Sequence, residues 1–133
     1  MFTLKDKIYF YDCDPAGILF YANIFKIAHK CYEEFLSDIS DVRNFFFDDS
    51  VLLPIIHSEA DYFSPLSAGE EIVINVFASV VKESSFELTY KLLRGGETCI
   101  IAKTVHVAVD KKSFAKTKLP EELKIKLLEN SEK

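Results

Sequence analysis

The stretch Tyr11-Asp12-Cys13-Asp14-Pro15-Ala16-Gly17-Ile18-Leu19-Phe20-Tyr21-Ala22-Asn23 joins a short aromatic and β-branched run, Ile8 to Tyr11, to the longest apolar helical pattern in the chain. The run before it reads as a strand. Pro15 fixes its own φ and pushes Asp14 into an extended conformation, so the chain turns after the acid and a helix starts a few residues later. Asp14 is therefore expected at a strand end facing a helix N-terminus. There, free backbone N–H groups and the positive end of the helix dipole come near a carboxylate. Asp, Pro and Gly are also the ordinary turn formers, and the same residues read as a plain polar turn before a buried helix.

On a wheel of ~100° per residue, Ile24, Ile27, Ala28, Cys31 and Phe35 centre an apolar half, flanked by Tyr21, Phe25, Tyr32 and Leu36. Asn23, Lys26, Lys30, Glu33, Glu34 and Ser37 fill the opposite half, with His29 on the boundary. So wide an apolar face needs a large apolar surface, and the rest of the chain supplies strands. Ser37 to Ser50 sets several acids around Phe45-Phe46-Phe47 and reads as a connection carrying an apolar plug. Val51 to Ile56 is an edge or irregular strand start because of Pro54, and His57 to Phe63 continues it toward a turn at residues 64–69.

Ile72, Ile74, Val76, Ala78 and Val80 alternate against Asn75 and Ser79, and Phe86, Leu88, Tyr90 and Leu92 against Glu87, Thr89 and Lys91. Arg94-Gly95-Gly96-Glu97 has hairpin chemistry, Cys99 to Val109 is a long strand, and Pro120 starts a short helix from Glu121 to Glu129. Strand, helix, then four strands in a meander predict an α+β fold over residues 1–133, with an antiparallel sheet packed on a helix.

With 49% apolar residues and 12 Phe among 133, the chain can build a substantial core. A net charge of −5 argues against nucleic acid as a partner, which would need a clustered basic surface. The three cysteines, Cys13, Cys31 and Cys99, lack metal-type spacing, so neither a disulfide framework nor a zinc site is expected and a reducing cytoplasm fits. The histidines likewise have no nearby second ligand, and no cofactor is implied. Residues 1–7 lack the apolar core of a signal peptide, and no run approaches the ~18 residues of a membrane span.

Asp12-Cys13-Asp14-Pro15-Ala16-Gly17 with Tyr21-Ala22-Asn23 resembles the signature of the hot-dog-fold acyl-CoA thioesterases of the 4-hydroxybenzoyl-CoA thioesterase family. Pro54-Ile55-Ile56-His57, Asp61-Tyr62, Pro65-Leu66, Gly69-Glu70, Val105-His106-Val107 and Leu119-Pro120-Glu121-Glu122-Leu123 extend the likeness in order along nearly the whole chain. Ala28-His29-Lys30-Cys31-Tyr32-Glu33, with Phe45-Phe46 and Leu53-Pro54-Ile55-Ile56-His57, is most similar to the 1,4-dihydroxy-2-naphthoyl-CoA hydrolases of menaquinone and phylloquinone biosynthesis. The resemblance implies a long helix wrapped by about five antiparallel strands, assembled as a homodimer or homotetramer. His29 stands where the 4-hydroxybenzoyl enzyme has an Asp that contacts the ring hydroxyl, which argues against that substrate.

Thioester hydrolysis needs a nucleophile or general base and donors for the growing oxyanion. The resemblance places Asp14 in the first role and the Tyr21 backbone N–H in the second, with Gly17 allowing close approach of the thioester and Asn23 ordering the helix start. Asp12, the competing acid, precedes the turn and is expected farther from the helix. His29 reads as a boundary residue or a polar contact for a ring hydroxyl, His57 as a core residue or part of the acyl pocket, and His106 as structural. Ser58 and Ser85 are possible pocket or loop contacts. Lys82 and the group Lys111, Lys112, Lys116 and Lys118 are candidates for the coenzyme A phosphates, or a solvated loop. A short- or medium-chain aliphatic acyl-CoA or acyl carrier protein thioesterase, and a non-catalytic acyl-CoA binding protein, are the alternatives.

Overall fold

The computed structural model describes residues 1–39 and 50–131. The element order is β1 (Phe2–Lys7), a 3-10 turn at Phe10–Asp12, a second at Tyr21–Asn23, α1 (Ile24–Ile39), β2 (Val51–Leu52), β3 (Ile55–Tyr62), β4 (Glu71–Val81), β5 (Ser85–Arg94), β6 (Glu97–Val107), β7 (Val109–Asp110) and α2 (Glu121–Glu129). Five strands form one antiparallel sheet in the order β1-β4-β5-β6-β3, and β2 pairs with β7 beside it. The stretch Phe45-Phe46-Phe47 lies outside the described residues.

One face of the sheet carries Ile72, Ile74, Val76, Phe86, Leu88, Leu92, Ile100 and Ala102, all buried, and α1 lies against it with Ile24, Ile27, Ala28, Cys31, Phe35 and Leu36. Helical spacing on one side and two-residue alternation on the other thus bury a single shared core. The helix-on-sheet arrangement expected from the chain order is present. The meander, however, is limited to β4, β5 and β6. β3 crosses to the far side of β6, and β1 pairs with β4 at the opposite edge.

The first strand is Phe2–Lys7 and not Ile8–Tyr11. Phe2, Leu4 and Asp6 turn toward the core side and Thr3, Lys5 and Lys7 away, which is the alternation a paired edge requires. Ile8 follows fully buried, its N–H donating to Glu70 O at 2.9 Å, and the aromatic residues after it coil into the first 3-10 turn. In β4 the alternation runs to Ala78, where a bulge between Ala78 and Val80 turns Val80 outward. The long strand after the hairpin is Glu97–Val107, with Val109–Asp110 split off to pair with β2. Pro54 divides the apolar run 51–56 between β2 and β3.

Candidate active site

Asp14 sits at the tip of a small hairpin, not at a strand end. Its N–H donates to Ile18 O at 2.8 Å, Cys13 bridges to Leu19, and Phe20 N–H donates to Asp12 O at 3.0 Å. Gly17 closes the turn with its N–H on Asp14 O at 2.9 Å and a φ of 77°, a left-handed conformation that favours glycine. The Asp14 carboxylate is fixed on one side, where Oδ1 accepts from Ala16 N–H at 2.9 Å and more weakly from Ile18 N–H at 3.4 Å. Oδ2 has no hydrogen-bond partner among the described residues. The loop rests on the segment after β3 through Leu19 N–H to Leu66 O (2.8 Å), Ala68 N–H to Gly17 O (2.9 Å) and a bridge between Ile18 and Ser67.

The hairpin runs directly into the 3-10 turn Tyr21–Asn23 and so into α1. Phe20 offers this turn no side-chain cap, and the Tyr21 N–H has no partner among the described residues. The Tyr21 carbonyl accepts the Ile24 N–H and the Tyr62 hydroxyl, the latter at 3.0 Å. Asn23 orders the helix start, because its Nδ2 donates to Asp12 O at 2.9 Å. Asp12 is not remote from the helix. It is buried, and its Oδ1 accepts from Lys26 Nζ at 2.8 Å. The two acids therefore differ in what they hold: Asp12 ties hairpin to helix, whereas Asp14 keeps an oxygen open.

A cavity of about 300 Å³ lies beside the acid loop, with Ile18 and Leu19 on one side, Tyr62 to Leu66 on the other, and Ile100 between. A larger open groove of about 650 Å³ near Lys5, Lys7, Tyr9 and Glu71 contains none of the candidate residues and has charges of both signs. Of these two, the cavity beside Ile18 and Leu19 has the more apolar walls, as an acyl group requires.

The other candidates are spread along the molecule. His29 is exposed on α1, with Nε2 3.9 Å from Glu33 Oε1 and its ring edge against Tyr32. His57 is not a core residue, because β3 is an edge strand and its side chain is exposed, 3.2 Å from Glu59 Oε1. Ser58 lies on the other face of β3, opposite Thr104. At roughly 3.3 Å per residue it stands about 13 Å along the strand from Tyr62. Lys82 is exposed in the β4–β5 turn, Ser85 opens β5, and Lys111, Lys112, Lys116 and Lys118 are exposed before α2.

His106 is fully buried, stacked on Phe86 at 4.7 Å between ring centroids, and its Nε2 lies 2.8 Å from Thr104 Oγ1. Nδ1 has no well-directed hydrogen bond among the described residues, and burial pulls the imidazole down to about 4. Two supports of the site were given no role from sequence. Tyr62 entered only within the Asp61-Tyr62 match to the family. Arg94, read as part of a turn, reaches Ser64 Oγ, Pro65 O, Glu70 and Glu97 at 2.8–3.3 Å. The Ser67 N–H and then the Arg94 guanidinium hold Glu70 below the ordinary carboxylate range.

The sequence profile of the thioesterase-like superfamily matches residues 8–127. The chain belongs to that family. Among relatives of this thioesterase-like chain, a 1,4-dihydroxy-2-naphthoyl-CoA hydrolase of Rippkaea orientalis is 38% identical over 127 residues, covering 91% of this chain and 92% of its own length. A protein of the same name from Nostoc punctiforme is 33% identical, over 92% of this chain and 83% of its own. In fold, a 1,4-dihydroxy-2-naphthoyl-CoA thioesterase from Synechocystis superposes with a TM-score of 0.86 at 23% identity, covering 96% of this chain and 95% of that one. A gentisyl-coenzyme A thioesterase superposes with a TM-score of 0.82 at 22% identity, over 94% and 98% of the two chains. The long helix on a five-stranded antiparallel sheet is the thioesterase hot-dog fold.

Proposed function

We propose that the protein hydrolyses the thioester of an aromatic acyl-CoA, with 1,4-dihydroxy-2-naphthoyl-CoA as the first candidate, and so serves quinone biosynthesis in the cytoplasm. The observation that carries the chemistry is the half-committed Asp14 carboxylate. Ala16 and Ile18 N–H groups fix Oδ1, while Oδ2, with no partner among the described residues, can take a substrate or a water. The hairpin that holds this acid leads, within seven residues, to the Tyr21 N–H at the start of a helix. Attack by, or assisted by, Asp14 on the thioester carbonyl places negative charge on its oxygen. An unpaired N–H at the positive end of a helix stabilises that charge. If Asp14 itself attacks, coenzyme A leaves as the thiolate and water then hydrolyses the acyl–Asp14 anhydride; if Asp14 acts as base, water is the attacking group and loss of the thiolate gives the acid directly. The names carried by relatives at 38% and 33% identity favour the bicyclic aromatic acyl group.

The same reading needs a second copy of the chain. Among the described residues no strand pairs with the outer edge of β3, and Ile55, Ile56, Tyr62 and Phe63 are exposed along it and just beyond. Antiparallel pairing of two β3 edges about a two-fold axis brings the His57 and Ser58 end of one strand toward the Tyr62 end of the other. Ser58, on the same face as Tyr62, then approaches the cavity beside the acid loop, while His57 lies on the opposite face of the strand, with His29 as a further polar contact for a ring hydroxyl. Lys82 and the lysines at 111, 112, 116 and 118 are the cations proposed for the coenzyme A phosphates.

The test is thiol release from a panel of aromatic and aliphatic acyl-CoA esters. Fastest turnover on the hydroxylated bicyclic ester supports the reading. A preference for aliphatic esters retains the mechanism and removes the substrate, and binding without thiol release removes both.

A further inference from the structure

Tyr62 ends β3 opposite Ile100, on the face of the edge strand that looks toward the core. The strand end is firmly held. Phe63 and Ser64 N–H groups both donate to Cys99 O, at 2.8 and 3.2 Å, and Arg94 donates to Ser64 Oγ at 3.2 Å and Pro65 O at 2.8 Å. From this anchor the phenol ring forms one wall of the cavity beside the acid loop, and its hydroxyl donates across to Tyr21 O at 3.0 Å. Among the described residues it is the one side-chain hydrogen bond that reaches residue 21.

The N–H and C=O of Tyr21 both pivot on that residue's φ and ψ. Its carbonyl holds two donors, Ile24 N–H from the helix side and Tyr62 O–H from the sheet side. Two donors arriving from different elements hold the carbonyl plane in place, and the N–H, in the preceding peptide plane, is restrained with it only as far as φ and ψ of residue 21 keep the 3-10 turn. An oxyanion donor is effective in proportion to its preorganisation, so a few tenths of an ångström of freedom at residue 21 weakens the transition state more than the bound substrate. Burial and the neighbouring Tyr21 hold the Tyr62 phenol above its ordinary value, so it remains a donor at neutral pH.

We propose that Tyr62 is a positioning residue for thioester hydrolysis: its hydroxyl, fixed by the end of β3, aims the Tyr21 N–H at the oxyanion. The inference rests on the assignment of the Tyr21 N–H as the oxyanion donor. Its consequence is that the sheet edge, and not α1 alone, sets the catalytic competence of the helix start.

The experiment is steady-state kinetics of Tyr62→Phe, which removes only the hydroxyl, alongside hydrogen exchange of the Ile24 amide, which reports on the Tyr21 carbonyl without turnover. The expected result is a kcat about tenfold lower, a KM within about twofold, and faster exchange at Ile24. Tyr90→Phe is the control, because it removes a buried hydrogen bond to Thr104 Oγ1 (2.8 Å) in the same sheet. It should lower thermal stability and leave kcat in place. In an active enzyme, an unchanged kcat, a change confined to KM, or an unchanged Ile24 amide each overturns the positioning role. A wild-type protein that cleaves no thioester overturns the hydrolase reading itself, and this inference with it.

Discussion

Asp12 and Asp14 stand two residues apart, and their hydrogen bonds give them separate tasks. Asp12 binds Lys26 Nζ through Oδ1 and receives Phe20 N–H and Asn23 Nδ2 on its carbonyl, whereas Asp14 is held on one oxygen by its own turn. Asp12→Asn is expected to retain turnover within about tenfold and to lose about 1 kcal/mol of stability, because the ion pair is half in solvent. Thermal unfolding and thiol release on the same sample check both numbers; equal loss of turnover in the Asp12 and Asp14 variants would sink the division of roles. Gly17 makes a third residue-scale case. A Cβ there meets nothing within 4 Å, so only its φ of 77° resists substitution. Gly17→Ala should therefore lower stability by about 1 kcal/mol through backbone strain alone, and Gly17→Asn by less. Denaturant midpoints of the two variants measure the difference.

At the level of elements, β3 joins the two halves of the proposed chemistry. One edge has no partner strand among the described residues, its far end carries Tyr62, and its near end carries His57 and Ser58. Ile56→Lys places a charge on the exposed edge and is expected to shift sedimentation toward a monomer with a loss of turnover. A monomeric variant with full turnover would show that one chain holds the whole site.

The helices and the central hairpin were legible from the chain because periodicity is a local signal. α2 spans Glu121–Glu129 as Pro120 indicates, and Gly95 and Gly96 both take positive φ in the turn expected of them. What was not legible is what partners decide. Phe2–Lys7 alternates only weakly, and it is a strand because β4 offers it a register. Val80 leaves the core face because a bulge intervenes, which no alternating pattern announces. His57 follows apolar residues, yet lies on an edge that the described core does not cover. Around the acid, Asp14 and Gly17 were visible because they share a turn, and Asn23 because it stands at the helix start. The roles of Tyr62 and Arg94 were not, since Tyr62 bonds Tyr21 and Arg94 bonds Ser64, Pro65 and Glu70, all distant in sequence.

For the whole molecule, stability rests on one core between α1 and the sheet, and that core contains a neutral imidazole. His106 faces Tyr32 from α1, Phe86 from β5 and Thr104 on its own strand, and a charge on His29 would disfavour its protonation further. Its folded value is about 4 against an ordinary 6.5, so between these values the unfolded chain takes up a proton that the folded one refuses. Stability from this group is complete above about pH 6.5 and falls as pH drops toward 4, by up to about 3 kcal/mol. Urea unfolding across that interval should show the decline, and His106→Gln should flatten it. Because Phe35 is also fully buried, Phe35→Ala is expected to destabilise by about 3–5 kcal/mol, read from the same urea curves. The central claim is that this core presents Asp14 as the group that starts thioester cleavage. The most direct measurement is thiol release from 1,4-dihydroxy-2-naphthoyl-CoA by wild-type and Asp14→Asn protein, with circular dichroism on both. A fall of about a thousandfold in turnover with an unchanged fold is the predicted result, and turnover retained within a few fold in a folded Asp14→Asn protein would contradict it.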